Sequence, residues 1–147
     1  MIVQDTYIHS VGWHVVVYHA VSHVWADEII DELIKIGCSG VKLEDAKKKL
    51  WGAVPNTGYT FSNTGLRETI IIILPTTSGA EYWNSLDHEK NHLLQHIALT
   101  ADIDPYGEQI SYISGEFIRD AYRVANKLLC NCCRRKELGY GRFYRDT

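Results

Sequence analysis

Residues 68–74, Glu-Thr-Ile-Ile-Ile-Ile-Leu, constrain this chain more than any other stretch. β-Branched residues at five consecutive positions favour an extended backbone, and Pro75 cannot continue a hydrogen-bonded strand, so the run reads as a strand that stops at residue 74. Ser78 and Glu81 then form a capping-box pair, in which the serine oxygen takes an orphan backbone N–H, and they start a helix near Gly79. A strong strand therefore feeds directly into a long helix, predicted over residues 79–99. Upstream, residues 13–21 read as a strand. Residues 26–37 show helical spacing of Ile29, Ile30, Leu33, Ile34 and Ile36, closed by Gly37. A short helix over 43–51 ends at Gly52, and a hairpin strand lies around Tyr59–Ser62 between turn-rich segments. Asp104 before Pro105 predicts the cap of a last helix running to about Leu129.

The order is β α α β β α α, which implies an α+β fold with helices gathered at the end of a small sheet. At 147 residues, 46% of them hydrophobic, the chain is expected to form a single domain over 1–147 with a basic, cysteine-containing tail from about residue 130. A net charge of −3 offers no general attraction to nucleic acid or anionic membrane. No apolar run reaches the length of a membrane span, and the first residues lack the pattern of a secretory signal, so a cytoplasmic protein without membrane or nucleic-acid partners is expected. Three of the four cysteines, Cys130, Cys132 and Cys133, crowd one end, and reduced thiols are the expectation. Their spacing matches no zinc finger or ribbon. His19 shares one strand face with Trp13, Val15 and Val17 and reads as a packed histidine.

The helix over 79–99 carries His88, His92 and His96 at four-residue spacing, with Glu89 directly after the first. On a helical wheel Trp83, Leu86, Leu93, Leu94 and Ile97 form an apolar stripe, and the histidines cluster opposite with Glu89 at their margin. Imidazoles one turn apart can direct ring nitrogens to a common point, which is how a tetrahedral zinc ion takes two ligands from one helix. Glu89 lies beside that point, placed to accept a proton from water without being a ligand. Lys90 falls inside the apolar stripe, which predicts pairing with Glu116 or Asp120, or a side chain reaching out to solvent.

His88-Glu89-x-x-His92 is an HExxH motif, and with a strand just upstream and an acidic residue on a following helix the chain resembles the zincin-like metallopeptidases over roughly residues 68–125. In its short length and layout it is also similar to small peptidases encoded by phages and prophages. The resemblance implies a minimal zincin-like fold, with a small sheet, an HExxH active-site helix and a second long helix. It also implies bound Zn2+ and hydrolysis of a peptide or protein substrate with Glu89 as general base. A zincin-shaped binding protein without turnover is the alternative.

A catalytic zinc takes three protein ligands and keeps one open position. On the last helix Glu108, Tyr112, Gly115 and Arg119 share a face opposite the apolar stripe, and that face can meet the histidines. Glu108 is the expected third ligand, as in the gluzincin branch, with His96, Asp104 and Glu116 as alternatives. Tyr112, one turn further, is the expected oxyanion donor, or else a tyrosine packed with its hydroxyl at the surface. The strand around Thr69–Leu74, as a sheet edge, would pair with an extended substrate.

Overall fold

A computed structural model describes residues 1–129. It contains β1 (Ile2–Ile8), β2 (Trp13–His19), a single 3-10 turn (His23–Trp25), α1 (Ala26–Lys35), α2 (Gly40–Gly52), β3 (Gly58–Asn63), β4 (Glu68–Ile73), α3 (Gly79–Ala101) and α4 (Glu108–Leu128). The basic tail expected from about residue 130 lies outside the described residues. Among those residues no helix is long and apolar enough to cross a membrane.

The four strands form one mixed sheet in the order β1-β2-β4-β3. β1 pairs antiparallel with β2, β2 parallel with β4, and β3 antiparallel with β4. The fold is α+β, as expected, but the helices are not gathered at one end. Ile70, Ile72 and Leu74 pack with Ile29, Leu33 and Leu50 of α1 and α2, whereas Ile71 and Ile73 pack with Leu86, Leu93, Ile113 and Phe117 of α3 and α4. The sheet thus lies between two helical layers. That explains the unbroken isoleucine run, because a strand covered on both faces needs apolar side chains in both directions.

β4 is therefore an interior strand with partners on both sides, contrary to its expected place at an edge; among the described residues the edges are β1 and β3. β1 was not expected at all. Its inward positions include Gln4 and Thr6, both buried, while Val3 and Tyr7 point outward and are exposed. The polar pair is bonded inside: Gln4 Nε2 donates to Thr6 Oγ1 at 2.8 Å, and Gln4 Oε1 lies 2.9 Å from His19 Nε2. His19 is fully buried, as its alternation with Trp13, Val15 and Val17 predicts.

The Ser78 cap forms as expected, with Ser78 Oγ accepting from the Glu81 amide at 3.1 Å. The last helix starts later than its cap signal suggests. Asp104 Oδ1 accepts from the Tyr106 amide at 2.9 Å, and the Gly107 amide donates to Asp104 O at 3.1 Å, so the aspartate builds a turn. Gly107 then serves as N-cap of α4.

Candidate active site

α3 lies along β3 and β4, and each turn of its histidine segment meets a different environment. Glu89 points inward and is only 4% exposed, whereas His88 and His92 are exposed. The wheel that set Glu89 at the margin of a solvated face is corrected by the sheet: β3 reaches far enough over α3 to cover it. Gly58, Thr60 and Ser62 lie at alternate positions of β3, and all three meet α3.

Thr60 Oγ1 donates to Glu89 Oε2 at 2.5 Å. At Gly58 a Cβ would stand 2.6 Å from Ile72 O, 2.9 Å from Glu89 Cγ and 3.0 Å from Glu89 Oε1. The missing side chain is what lets the carboxylate lie against the strand.

The two exposed rings meet edge to face, with centroids 4.9 Å apart, and their Nε2 atoms are 3.3 Å apart. Two nitrogens bound to a tetrahedral ion at about 2.0–2.1 Å would be separated by roughly 3.3–3.4 Å, so the pair has the spacing of two ligands of one zinc. His88 and Glu89 also line a cleft of about 210 Å³ between α3, the end of α2 at Lys49 and the loop Asn56–Gly58. That loop is tied down. The Asn56 amide donates to Pro75 O at 2.9 Å, the Thr77 amide donates to Asn56 Oδ1 at 2.9 Å, and the Leu74 amide donates to Thr57 O at 3.0 Å.

His96, the alternative third ligand, is instead bonded to the sheet. Its Nδ1 lies 2.7 Å from Ser62 Oγ, which lies 2.7 Å from Thr69 Oγ1, and Trp13 Nε1 donates to Thr69 Oγ1 at 2.8 Å. Burial first, then the neighbouring His92 and Lys42, hold its pKa below the usual imidazole value.

Glu108 is not brought to the histidine pair: among the described residues no group of three or more histidine, cysteine, aspartate or glutamate side chains could hold a metal ion. α3 runs on from His92 to Ala101, about 13 Å at 1.5 Å per residue, before the chain turns back. Helix α4 then packs Ile110, Ile113, Phe117 and Ala121 into the core shared with α3 and β1, and leaves Glu108 exposed in its first turn. Tyr112 is 71% exposed and joins no hydrogen bond among the described residues, so it stands on the surface. Asp104 is engaged in its turn, and Glu116 is half-buried on α4. Lys90 pairs with neither Glu116 nor Asp120; its ammonium donates to Asp87 Oδ1 at 2.7 Å, three residues back on its own helix, with the lysine side chain 13% exposed.

Thr60, Gly58, Ser85 and Lys49 were not identified from sequence as parts of this site. The period-two alternation of Gly58, Thr60 and Ser62 marks one polar face of β3, and Ser85 precedes Glu89 by one helical turn, but neither pattern says which element lies opposite.

No protein-family model matches the chain, and no curated protein or solved structure matches it either.

Proposed function

We propose that this chain is a zinc-dependent peptidase of minimal zincin-like fold, with Glu89 as general base and with His88 and His92 as two of the three protein ligands a catalytic zinc takes; the described residues bring no third ligand to the pair. The observation that carries this reading is the 3.3 Å separation of the two Nε2 atoms, on the turn that also sends Glu89 into the adjoining cleft. Zinc bound there would supply a Lewis acid that polarises a carbonyl and makes water acidic enough to attack at neutral pH.

The chain's own groups do the rest. Glu89 accepts a proton from the attacking water and passes it to the departing amine, so that one water and one peptide bond become a carboxyl group and an amine. Thr60 keeps that carboxylate in place. Among the described residues β3 pairs with β4 on one side only, and its outer edge would take an extended substrate backbone running beside α3.

A second reading, a zincin-shaped binding protein without turnover, draws on the exposed positions of Glu108 and Tyr112 away from the histidine pair. The two separate in one experiment. Protein purified without added metal is assayed for zinc and incubated with a peptide library read by mass spectrometry, wild type beside Glu89→Gln. The peptidase reading expects about one zinc per chain in both proteins, and cleavage by the wild type alone. Zinc retention with no cleavage supports the binding protein. A chain that holds no zinc and melts identically with and without a chelator overturns the peptidase reading.

A further inference from the structure

The cleft beside Glu89 is polarised, and nothing in the proposed chemistry uses its far end. Glu89 lines it from α3 and Lys49 from α2, and the pinned loop Asn56–Gly58 forms a further wall. Lys47 and Lys90 are engaged by Glu44 and Asp87, but Lys49 forms no ion pair among the described residues. Ser85, one turn before Glu89, lines the same cleft; it is 4% exposed, and its hydroxyl has no hydrogen-bond partner among the described residues. Buried hydroxyls are nearly always bonded, and one left open beside a cleft is relieved by a ligand that brings an acceptor or a donor.

We infer that this cleft is a subsite for a carboxylate of the substrate, held by the Lys49 ammonium and the Ser85 hydroxyl while the scissile bond lies at Glu89. The inference rests on the peptidase reading and names its substrate class: peptides with an acidic side chain, or a free C-terminus, next to the bond that breaks. Charge sets the direction of binding. An anionic group is repelled by Glu89 and drawn to the α2 side, and a cationic group is disfavoured there. Because the loop is held by Asn56 and Thr57, the wall is formed before substrate arrives.

The test uses alanine-based blocked hexapeptides carrying one aspartate, glutamate, asparagine or glutamine at each position, and the same alanine peptide with a free or an amidated C-terminus. Binding is measured to the Glu89→Gln protein, so that turnover is not needed, and cleavage is measured with the wild type. The subsite predicts about tenfold tighter binding of a carboxylate peptide than of its amide counterpart. It further predicts loss of that preference in Lys49→Met, its inversion toward lysine-containing peptides in Lys49→Glu, and a smaller loss in Ser85→Ala. The position of the preferred carboxylate distinguishes a side chain from a C-terminus. Equal binding of acid and amide peptides, or a preference untouched by Lys49→Glu, overturns the subsite even if cleavage is observed. Carboxylate-dependent binding without any cleavage keeps the subsite and removes the peptidase.

Discussion

Thr60 Oγ1 donates to Glu89 Oε2 across 2.5 Å, so the carboxylate of the HExxH motif is fastened to the edge strand of the sheet instead of hanging free on its helix. General-base chemistry requires a carboxylate held within about half an ångström of its working position. In the proposed peptidase, the Thr60 hydroxyl from β3 would supply that hold.

Replacing Thr60 by valine keeps the shape of the side chain and removes the donor. The buried carboxylate then lacks its partner, and stability should fall by about 1–3 kcal/mol, whereas Thr60→Ser should lose much less. Urea denaturation of the three proteins at pH 7 measures this. Equal midpoints for wild type and Thr60→Val would show that the bond does not persist in solution.

Gly58→Ala places a methyl group 2.6 Å from Ile72 O and 2.9 Å from Glu89 Cγ. Neither the strand backbone nor the buried side chain can yield cheaply, and the expected cost is about 1–3 kcal/mol, the range for overpacking. Thermal unfolding checks the stability. If the chain is a peptidase, its cleavage rate should fall with it, since the same methyl displaces Glu89.

His19 makes stability depend on pH in a defined direction. The ring is fully buried; Gln4 Oε1 accepts from its Nε2 at 2.9 Å, and the Tyr82 hydroxyl lies 3.0 Å from its Nδ1. Burial lowers its pKa from 6.5 to about 4. Between those values the unfolded chain binds a proton that the folded chain refuses, so stability is fully present above pH 6.5 and is lost as pH falls toward 4, by about 3 kcal/mol in all. Below pH 4 this contribution is flat. Subtracting the stability-pH curve of His19→Gln from that of the wild type isolates it, and parallel curves over pH 4–6.5 would contradict it.

The chain Trp13–Thr69–Ser62–His96 determines where the His96 proton sits. Trp13 Nε1 can only donate, so Thr69 Oγ1 accepts from it and has one proton to give to Ser62, which in turn gives its own to His96 Nδ1. The reverse order leaves the proton of Thr69, which is 2% exposed, without a partner in this chain of bonds. His96 should therefore be the neutral Nε2–H tautomer at pH 7, readable from its ring nitrogen-15 shifts. A protonated Nδ1 would mean that the chain runs the other way. In Ser62→Ala, removal of the middle link should cost about 1–2 kcal/mol.

Local signals carried much of the secondary structure. The isoleucine run, the Ser78 cap and the spacing of Ile29, Ile30 and Leu33 each depend on neighbours within a few residues, and β4, α3 and α1 lie where those signals put them. The pairing of His88 with His92 belongs to the same class, because one helical turn separates them whatever surrounds the helix. The burial of Glu89 does not. It depends on β3 crossing α3 with Gly58 and Thr60 facing inward, a register between segments about thirty residues apart in sequence. β1 was hidden for a related reason: two of its inward positions, Gln4 and Thr6, are polar and two of its outward ones, Val3 and Tyr7, are apolar, a pattern that makes sense only once Gln4 has His19 and Thr6 as partners. Glu108 was misplaced because helix periodicity gives the direction of a side chain around its own axis and says nothing about where a connecting turn sets that axis down. Short-range geometry wrote the helices, most of the strands and the histidine pair into the sequence. The environment of the carboxylate, the edge of the sheet and the surroundings of α4 came from contacts between distant segments, where packing chose among arrangements that local preference leaves equivalent.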